Sequence, residues 1–279
     1  PPSSLMSWSS IGRDERWAMP GPEAVHMLIL GGTSEAARLA AAVTKRFGST
    51  LTVTSSLAGR TRAPRPVTGA VRVGGFGGAK GLATWLRATR VDMVIDATHP
   101  FANKISDNAR EACDAEAVPR LVLARACWQP KPGDRWFTVS DLDTAATLLP
   151  DMAKRAFVSV GSQRLESFSS VRDVHLVVRM IDPSPAVLSL ANHTVVLGRG
   201  PFDIEAEREL LRREKIDTIV SRNSGGAATY AKIAAARDLN IPVVMVAPPA
   251  RELGQSVGSL EKTLRWVETQ IALHRGAQS

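Results

Sequence analysis

From Met27 onward the chain alternates short apolar runs with helical patterns, and few folds accommodate that alternation. A strand that is to lie parallel to the previous one needs a crossover, usually a helix. The pattern therefore predicts parallel α/β sheets covered on both faces. Strands are expected at 27–30, 50–54, 71–73, 92–96 and 118–123, and helices at 34–47 and 82–90. Pro100 is expected to open a further helix at the first helical position, where a missing N–H is harmless. The segment 129–135, with two prolines and a glycine, reads as a linker. Beyond it, strands are expected at 156–160, 175–178, 194–197, 218–220 and 243–246, with helices at 141–149, 203–214, 228–239 and 260–274. The expected fold is two Rossmann-like α/β domains with parallel sheets, over 27–134 and 135–279, and a cleft between them. Residues 1–26, rich in Pro, Ser, Gly and Trp without periodicity, read as a disordered extension.

Lys and Arg number 35 against 27 Asp and Glu, a net charge of +8. The arginines are spread along the chain instead of gathering in a tail or an aromatic-interleaved stripe, which argues against nucleic acid. Scattered guanidinium groups suit a ligand bearing phosphates or carboxylates, because the planar fork binds either anion bidentately. No apolar run has transmembrane length and no secretory h-region stands near the start, so neither a membrane nor export is expected and the location is read as cytoplasmic. Cys113 and Cys127 then read as reduced structural thiols. No residues are spaced as a metal site and no Ser/His/Asp motif stands out.

Three glycine-bearing segments carry the chemistry. In LILGGTSEAARLA (28–40), Gly31 and Gly32 allow a tight turn between strand and helix, and Thr33 or Ser34 can cap the helix whose N–H groups favour an anion. The strict G-x-G-x-x-G spacing is absent, since Thr33 and Ala36 stand at its second and third glycines. After the second strand comes TSSLAGRTRAP (54–64), in which no acid is present to hold ribose hydroxyls. Ser55, Arg60 and Arg62 stand there instead, the composition that accommodates a 2′-phosphate and so favours NADPH over NADH. VGGFGGAKG (73–81) puts bare backbone between a strand and a helix, and Gly75, Phe76 and Gly77 are read as approaching a flat ring such as nicotinamide. A capped turn, a solvated loop and a glycine bulge are the plainer readings of these three segments.

Read together with DATHPFA (96–102), GRGPF (198–202) and SRNSGGAATYAKIAAARDLNIPVVMV (221–246), these segments resemble the precorrin-6A reductase family, in order, from Leu28 to about Val246. The resemblance implies hydride transfer from NADPH to a double bond of a polycarboxylated tetrapyrrole, precorrin-6A, giving precorrin-6B in cobalamin biosynthesis. Such chemistry needs a positioned cofactor and one proton, with no nucleophile or metal. Asp96, Thr98 and His99 are expected at a strand end facing the crevice. His99 and Asp96 are candidates for the catalytic pair and Thr98 for a cofactor contact, while capping of the following helix is the alternative for all three. Ser106 and Asn108 are expected on a solvated helix face, with reach to the ligand as the alternative. Across the cleft, Arg199, Arg222, Asn223, Ser224, Gly225, Tyr230 and Lys232 are expected to hold substrate carboxylates. Tyr230 and Lys232 are too close in sequence for the Tyr-x-x-x-Lys pair of short-chain dehydrogenases. An NADP-sensing Rossmann protein without turnover is the alternative function, and it leaves the second-half motifs unexplained.

Overall fold

The structure, a computed structural model, describes residues 24–59, 66–250 and 254–278. The first half contributes β1 (Val25–Leu30), α1 (Ser34–Phe47), β2 (Leu51–Leu57), β3 (Ala70–Val73), α2 (Gly78–Ala88), β4 (Met93–Asp96), α3 (Asn103–Glu116) and β5 (Arg120–Leu123). The second contributes β6 (Trp136–Val139), α4 (Leu142–Met152), β7 (Arg155–Ser159), β8 (His175–Met180), β9 (His193–Leu197), α5 (Ile204–Arg213), β10 (Thr218–Arg222), α6 (Ala231–Asp238), β11 (Val243–Val246), β12 (Ser256–Val257) and α7 (Leu260–Gln278).

These strands form two six-stranded sheets, in the orders β12-β5-β4-β1-β2-β3 and β6-β11-β10-β7-β8-β9. Every pairing is parallel; Leu28 of β1, for example, lies between Thr54 of β2 and Val94 of β4. Each sheet grows outward from a central strand, β1 or β7, and then reverses direction, which opens a crevice at the carboxyl ends beside that strand. The central strands are apolar on both faces because helices cover both. Met27 and Ile29 pack with Leu39, Val43, Val267 and Ile271, while Leu28 and Leu30 pack with Leu82, Leu86 and Ala109 on the opposite face. In the second sheet Val158, Val220 and Val244 face Leu149, and Phe157, Ile219 and Val243 face Leu211 and Ile233.

The two Rossmann-like sheets are as expected, but the chain divides between them differently. β12 hydrogen-bonds to β5 and α7 buries Val267 and Ile271 in the first core, so residues 256–278 belong to the first unit and not to the second. β6, a short half-exposed edge strand directly after the linker, completes the second sheet by pairing with β11. The first strand begins at Val25, so Val25 and His26 are buried sheet residues and not part of an extension; residues 1–23 lie outside the described residues. Pro100 does not open α3. His99 to Ala102 form a turn closed by Ala102 N–H donating to His99 O (2.8 Å), and this turn sends Phe101 into the second unit's core, so the helix starts only at Asn103.

Because α7 docks on the first sheet, Ile271→Ala should cost about 2–5 kcal/mol and loosen that sheet selectively. Amide hydrogen exchange should accelerate in β1, β4 and β5 and stay slow in β7 and β10; acceleration confined to β7 and β10 would show that the helix stabilises the other half.

Candidate active site

β1 ends at Leu30, and the chain turns through Gly31 and Gly32 into α1. Gly31 N–H donates to Ser56 O (3.0 Å), which draws the turn against the end of β2. A Cβ on Gly31 would already lie 3.3 Å from Ala36 Cβ, leaving no room for a branched side chain. Gly32 has φ of +94° and nothing within 4 Å of where a Cβ would sit, so its backbone is open on that side. Thr33 is the helix cap: its Oγ1 accepts from Ala36 N (3.1 Å) and donates to Ala97 O (2.8 Å), tying α1 to the strand-end loop of β4. Ser34 Oγ donates to Glu35 Oε2 (3.0 Å). The remaining N–H groups of the first turn have no intrahelical acceptor, and with the helix dipole they make an anion site.

Beside this turn lies a cavity of about 240 Å³. Its apolar floor is Leu30, Leu82 and Ile105, one wall is the backbone from Gly74 to Gly78, and Ser56, Thr98, Lys104 and Asn108 supply polar groups. The glycine wall is held in place. Arg72 donates to Gly74 O (2.7 Å) and Gly75 O (2.9 Å) and covers the Phe76 ring at 3.8 Å, and Phe76 meets Trp85 edge-on at 5.3 Å. A Cβ at Gly81 would fall 1.8 Å from Phe76 O, so only glycine lets α2 pass beneath the loop. Gly75, Phe76, Gly77 and Thr98 line the cavity, and Ser55 does not. Side chains alternate along β2, so Ser56 faces the cavity and the Ser55 hydroxyl is buried away from it without a hydrogen-bond partner. Arg60 and Arg62 lie outside the described residues.

Asp96 is not placed for catalysis. It is 1% exposed, its Oδ1 accepts from Thr98 N (3.2 Å) and Oγ1 (2.7 Å), and its Oδ2 faces Arg120 Nη1 at 3.5 Å. A carboxylate at the end of an apolar strand is buried here as a structural ion pair. His99 is half-buried, and its Nδ1 accepts from Phe101 N (3.3 Å) within the turn it helps to close. On α3 the cavity is lined by Asn108, the alternative reading of that residue, and by Lys104 and Ile105, which reading by motif missed although the spacing puts the three on one side of a helix. Ser106 is buried, 3.1 Å from Thr98 Oγ1, and not solvated.

At the second sheet, Arg222 ends β10 and stands between the units: its Cζ lies 5.1 Å from the Phe101 ring, and an Nη atom would sit 3.3 Å from a Cβ on Gly161. Arg199 is half-buried on the loop after β9, and Ser224 is buried, donating its N–H to Arg222 O (2.8 Å). Four other expected substrate contacts are occupied otherwise. Asn223 clamps Trp128, accepting from its N (2.8 Å) and donating to its O (2.9 Å). Gly225 is bare because a Cβ would lie 2.3 Å from Ala126 O. The Tyr230 hydroxyl accepts from Arg237 (2.7 Å), and its ring packs on Trp128. Lys232 is buried, its ammonium donating to Thr229 O (2.8 Å). Beside it Arg179 pairs with Glu207 at 2.7 Å and lies 4.0 Å from the Phe202 ring, a buried charge cluster that no sequence motif marks.

Burial pushes the Lys232 ammonium down to about 7, with Glu207 opposing the shift and Arg179 and Arg222 adding to it. Between that value and the ordinary 10.5 the unfolded chain binds a proton that the folded chain does not. Stability should therefore rise by a few kcal/mol as pH climbs through that window, and be flat in this respect below it. Lys232→Met should be the more stable protein at pH 7 and should lose the slope in chemical denaturation; an unchanged slope would show that Lys232 is not its source.

The chain matches known proteins along nearly its whole length. Residues 26–268 match the family model described as precorrin-6x reductase CbiJ/CobK. The precorrin-6A reductase of Rhodococcus erythropolis is 45% identical over 87% of this chain and 97% of its own length, and that of Rhodobacter capsulatus is 40% identical over 90% and 98%. A cobalt-precorrin-6A reductase of Priestia megaterium is 27% identical over 88% and 98%. A solved structure, CobK precorrin-6A reductase, superposes with a TM-score of 0.84 at 39% identity, covering 88% of this chain and 97% of that one. The chain belongs to the precorrin-6x reductase family.

Proposed function

We propose that this chain reduces precorrin-6A to precorrin-6B with NADPH in cobalamin biosynthesis. The observation that carries this reading is the near-complete match, at 45% identity, to a protein named for that activity. The relative named for the cobalt-bound macrocycle is far less similar, 27% identical, which supports the metal-free substrate.

The residues present fit a dinucleotide. The bare, open backbone at Gly32 and the first turn of α1 suit its pyrophosphate. The glycine-walled cavity beside Ser56 suits its adenosine half, in place of the nicotinamide expected there from the sequence, since the ends of β2 and β3 line it. The nicotinamide half then lies nearer β4 and β5, where Phe101 and Arg125 meet the second unit. When bound, the cofactor supplies the hydride. The chain's own groups orient the partners: Arg222 and Arg199 bind carboxylates of the tetrapyrrole, and Lys104 adds a cation at the cavity wall. His99 serves the turn through Nδ1, which accepts from Phe101 N–H, and the proton of the reaction comes from water or from the substrate's acid groups.

Anaerobic incubation with precorrin-6A and NADPH should change the macrocycle's absorption spectrum and consume one equivalent of cofactor; cofactor binding without consumption would favour the sensor. No acid follows β2, and Arg60 and Arg62 come just beyond it. NADPH should therefore exceed NADH at least tenfold in kcat/KM, from charge-assisted contacts of about 1.5–3 kcal/mol each. Arg60→Ala combined with Arg62→Ala should remove most of the preference without improving NADH. Equal wild-type efficiency with both cofactors would contradict the assignment.

Arg222→Ala should raise the KM for the tetrapyrrole about ten- to hundredfold and leave the Kd for NADPH unchanged. The opposite pattern, normal KM with weakened cofactor, would exchange the roles of the two crevices.

A further inference from the structure

The first turn of α1 carries a carboxylate where an anion is to bind. Glu35 is the second helical residue, with its side chain 14% exposed. Left alone, its charge would repel a pyrophosphate held by the same turn. Two arginines neutralise it: Arg125 Nε lies 3.2 Å from Oε2, and Arg38 Nη2 lies 3.3 Å from Oε1. Arg38 is largely exposed and screened by solvent, whereas the Arg125 side chain is only 13% exposed, so Arg125 carries most of the effect. Arg125 belongs to the segment that leaves β5 for the second unit.

The same pair underlies the substrate-side turn. A Cβ on Gly226 would lie 3.0 Å from Glu35 Oε1 and 3.5 Å from Arg125 Cδ, and one on Gly225 would strike Ala126 O at 2.3 Å. Both glycines have positive φ, +62° and +71°, so the turn after β10 is shaped to rest on the ion pair.

We propose that Glu35 and Arg125 are positioning residues that join the two halves of the active site: Arg125 cancels the Glu35 charge so that the α1 turn accepts the cofactor's pyrophosphate, and the pair seats the Ser224–Gly226 turn and thereby the Arg222 that precedes it. The inference rests on Gly31–Ser34 being the pyrophosphate turn. It assigns Arg125 an effect on cofactor binding exerted through Glu35, and it assigns the pair an effect on substrate that does not depend on net charge.

The test uses ADP, which carries the pyrophosphate without nicotinamide, and the tetrapyrrole in steady-state assays, with circular dichroism to check folding. Arg125→Gln should weaken ADP binding about ten- to hundredfold by exposing the Glu35 charge. Adding Glu35→Gln should restore the ADP Kd to within about threefold of wild type, while the KM for the tetrapyrrole stays raised because the turn has lost its seat. Glu35→Gln alone should bind ADP at least as well as wild type and share the raised KM. Unchanged ADP affinity in Arg125→Gln would overturn the inference. So would a double variant as weak as Arg125→Gln, which would mean that Arg125 Nη2, buried and unbonded, reaches the anion itself. A normal KM in the double variant would overturn the seating role. Gly31→Val separates this from the underlying reading, since unaltered ADP affinity there would remove the pyrophosphate from this turn altogether.

Discussion

The first sheet is completed by a strand from the far end of the chain, and the rest of the structure depends on that return. The chain crosses between β5 and β6, which pairs with β11, and crosses back between β11 and β12, which pairs with β5. The first unit cannot close its sixth strand alone, so both crossing segments must lie where the two sheets can reach them. Backbone that leaves a sheet still needs partners for its N–H and C=O groups. Asn223 supplies both for Trp128, and the Trp128 indole donates to Gly226 O (2.7 Å). The motif S-R-N-S-G-G therefore serves two ends: Arg222 faces the junction of the units, and its neighbours hold the crossing segment against it. Residues that look like ligands by composition are consumed by this bracing.

Buried charge has a related role beneath the second crevice. Arg179, Glu207 and Lys232 lie under the loops after β9 and β10, largely out of water. Ion pairs in such surroundings contribute little net stability, because the desolvation cost is comparable to the attraction. What they supply is orientation. Phe202 packs on the Arg179 guanidinium, and a Cβ on Gly198 or Gly200 would crowd the same ring at 3.2 or 3.3 Å. The loop bearing Arg199 therefore has one well-packed seat.

Elements set by local pattern were legible in the sequence, and those set by distant partners were not. The apolar runs of β1, β4, β7 and β11 announce strands buried on both faces, and Thr33 and Asp203 announce helix starts. β12 has two residues and no apolar run, and only the free edge of β5 makes it a strand. α7 has an ordinary amphipathic pattern, which says that a helix buries one face but not which sheet receives it. At the site, the glycine turn was legible because backbone requirements are local. Ser55 and Ser56 differ by one residue in strand phase, and a slip of one exchanges the faces of a sheet. Asp96 and Asn223 are polar residues at strand ends, Tyr230 and Lys232 stand at the start of α6, and only their partners show that they face inward.

The two sheets share a topology, and the proposed placing of the cofactor at one and the carboxylated substrate at the other rests on a difference between them. The difference lies in the segment after each central strand. After β1, Gly31 and Gly32 lead at once into a fourteen-residue helix whose first turn offers N–H groups and a positive dipole end. After β7, Gly161 leads into a short 3-10 stretch interrupted at Arg164, with no sustained helix to provide that field. The space over Gly161 is taken by the Arg222 guanidinium, 3.3 Å from where a Cβ would be. One crevice thus presents backbone dipoles that wrap a phosphate closely, and the other presents a side-chain cation with reach. A pyrophosphate has one fixed shape and suits the first. Carboxylates spread around the rim of a large macrocycle lie at varied distances and suit cations on side chains. The same fold, with a helix start at one central strand and an arginine at the other, distinguishes the two anions by how they must be held.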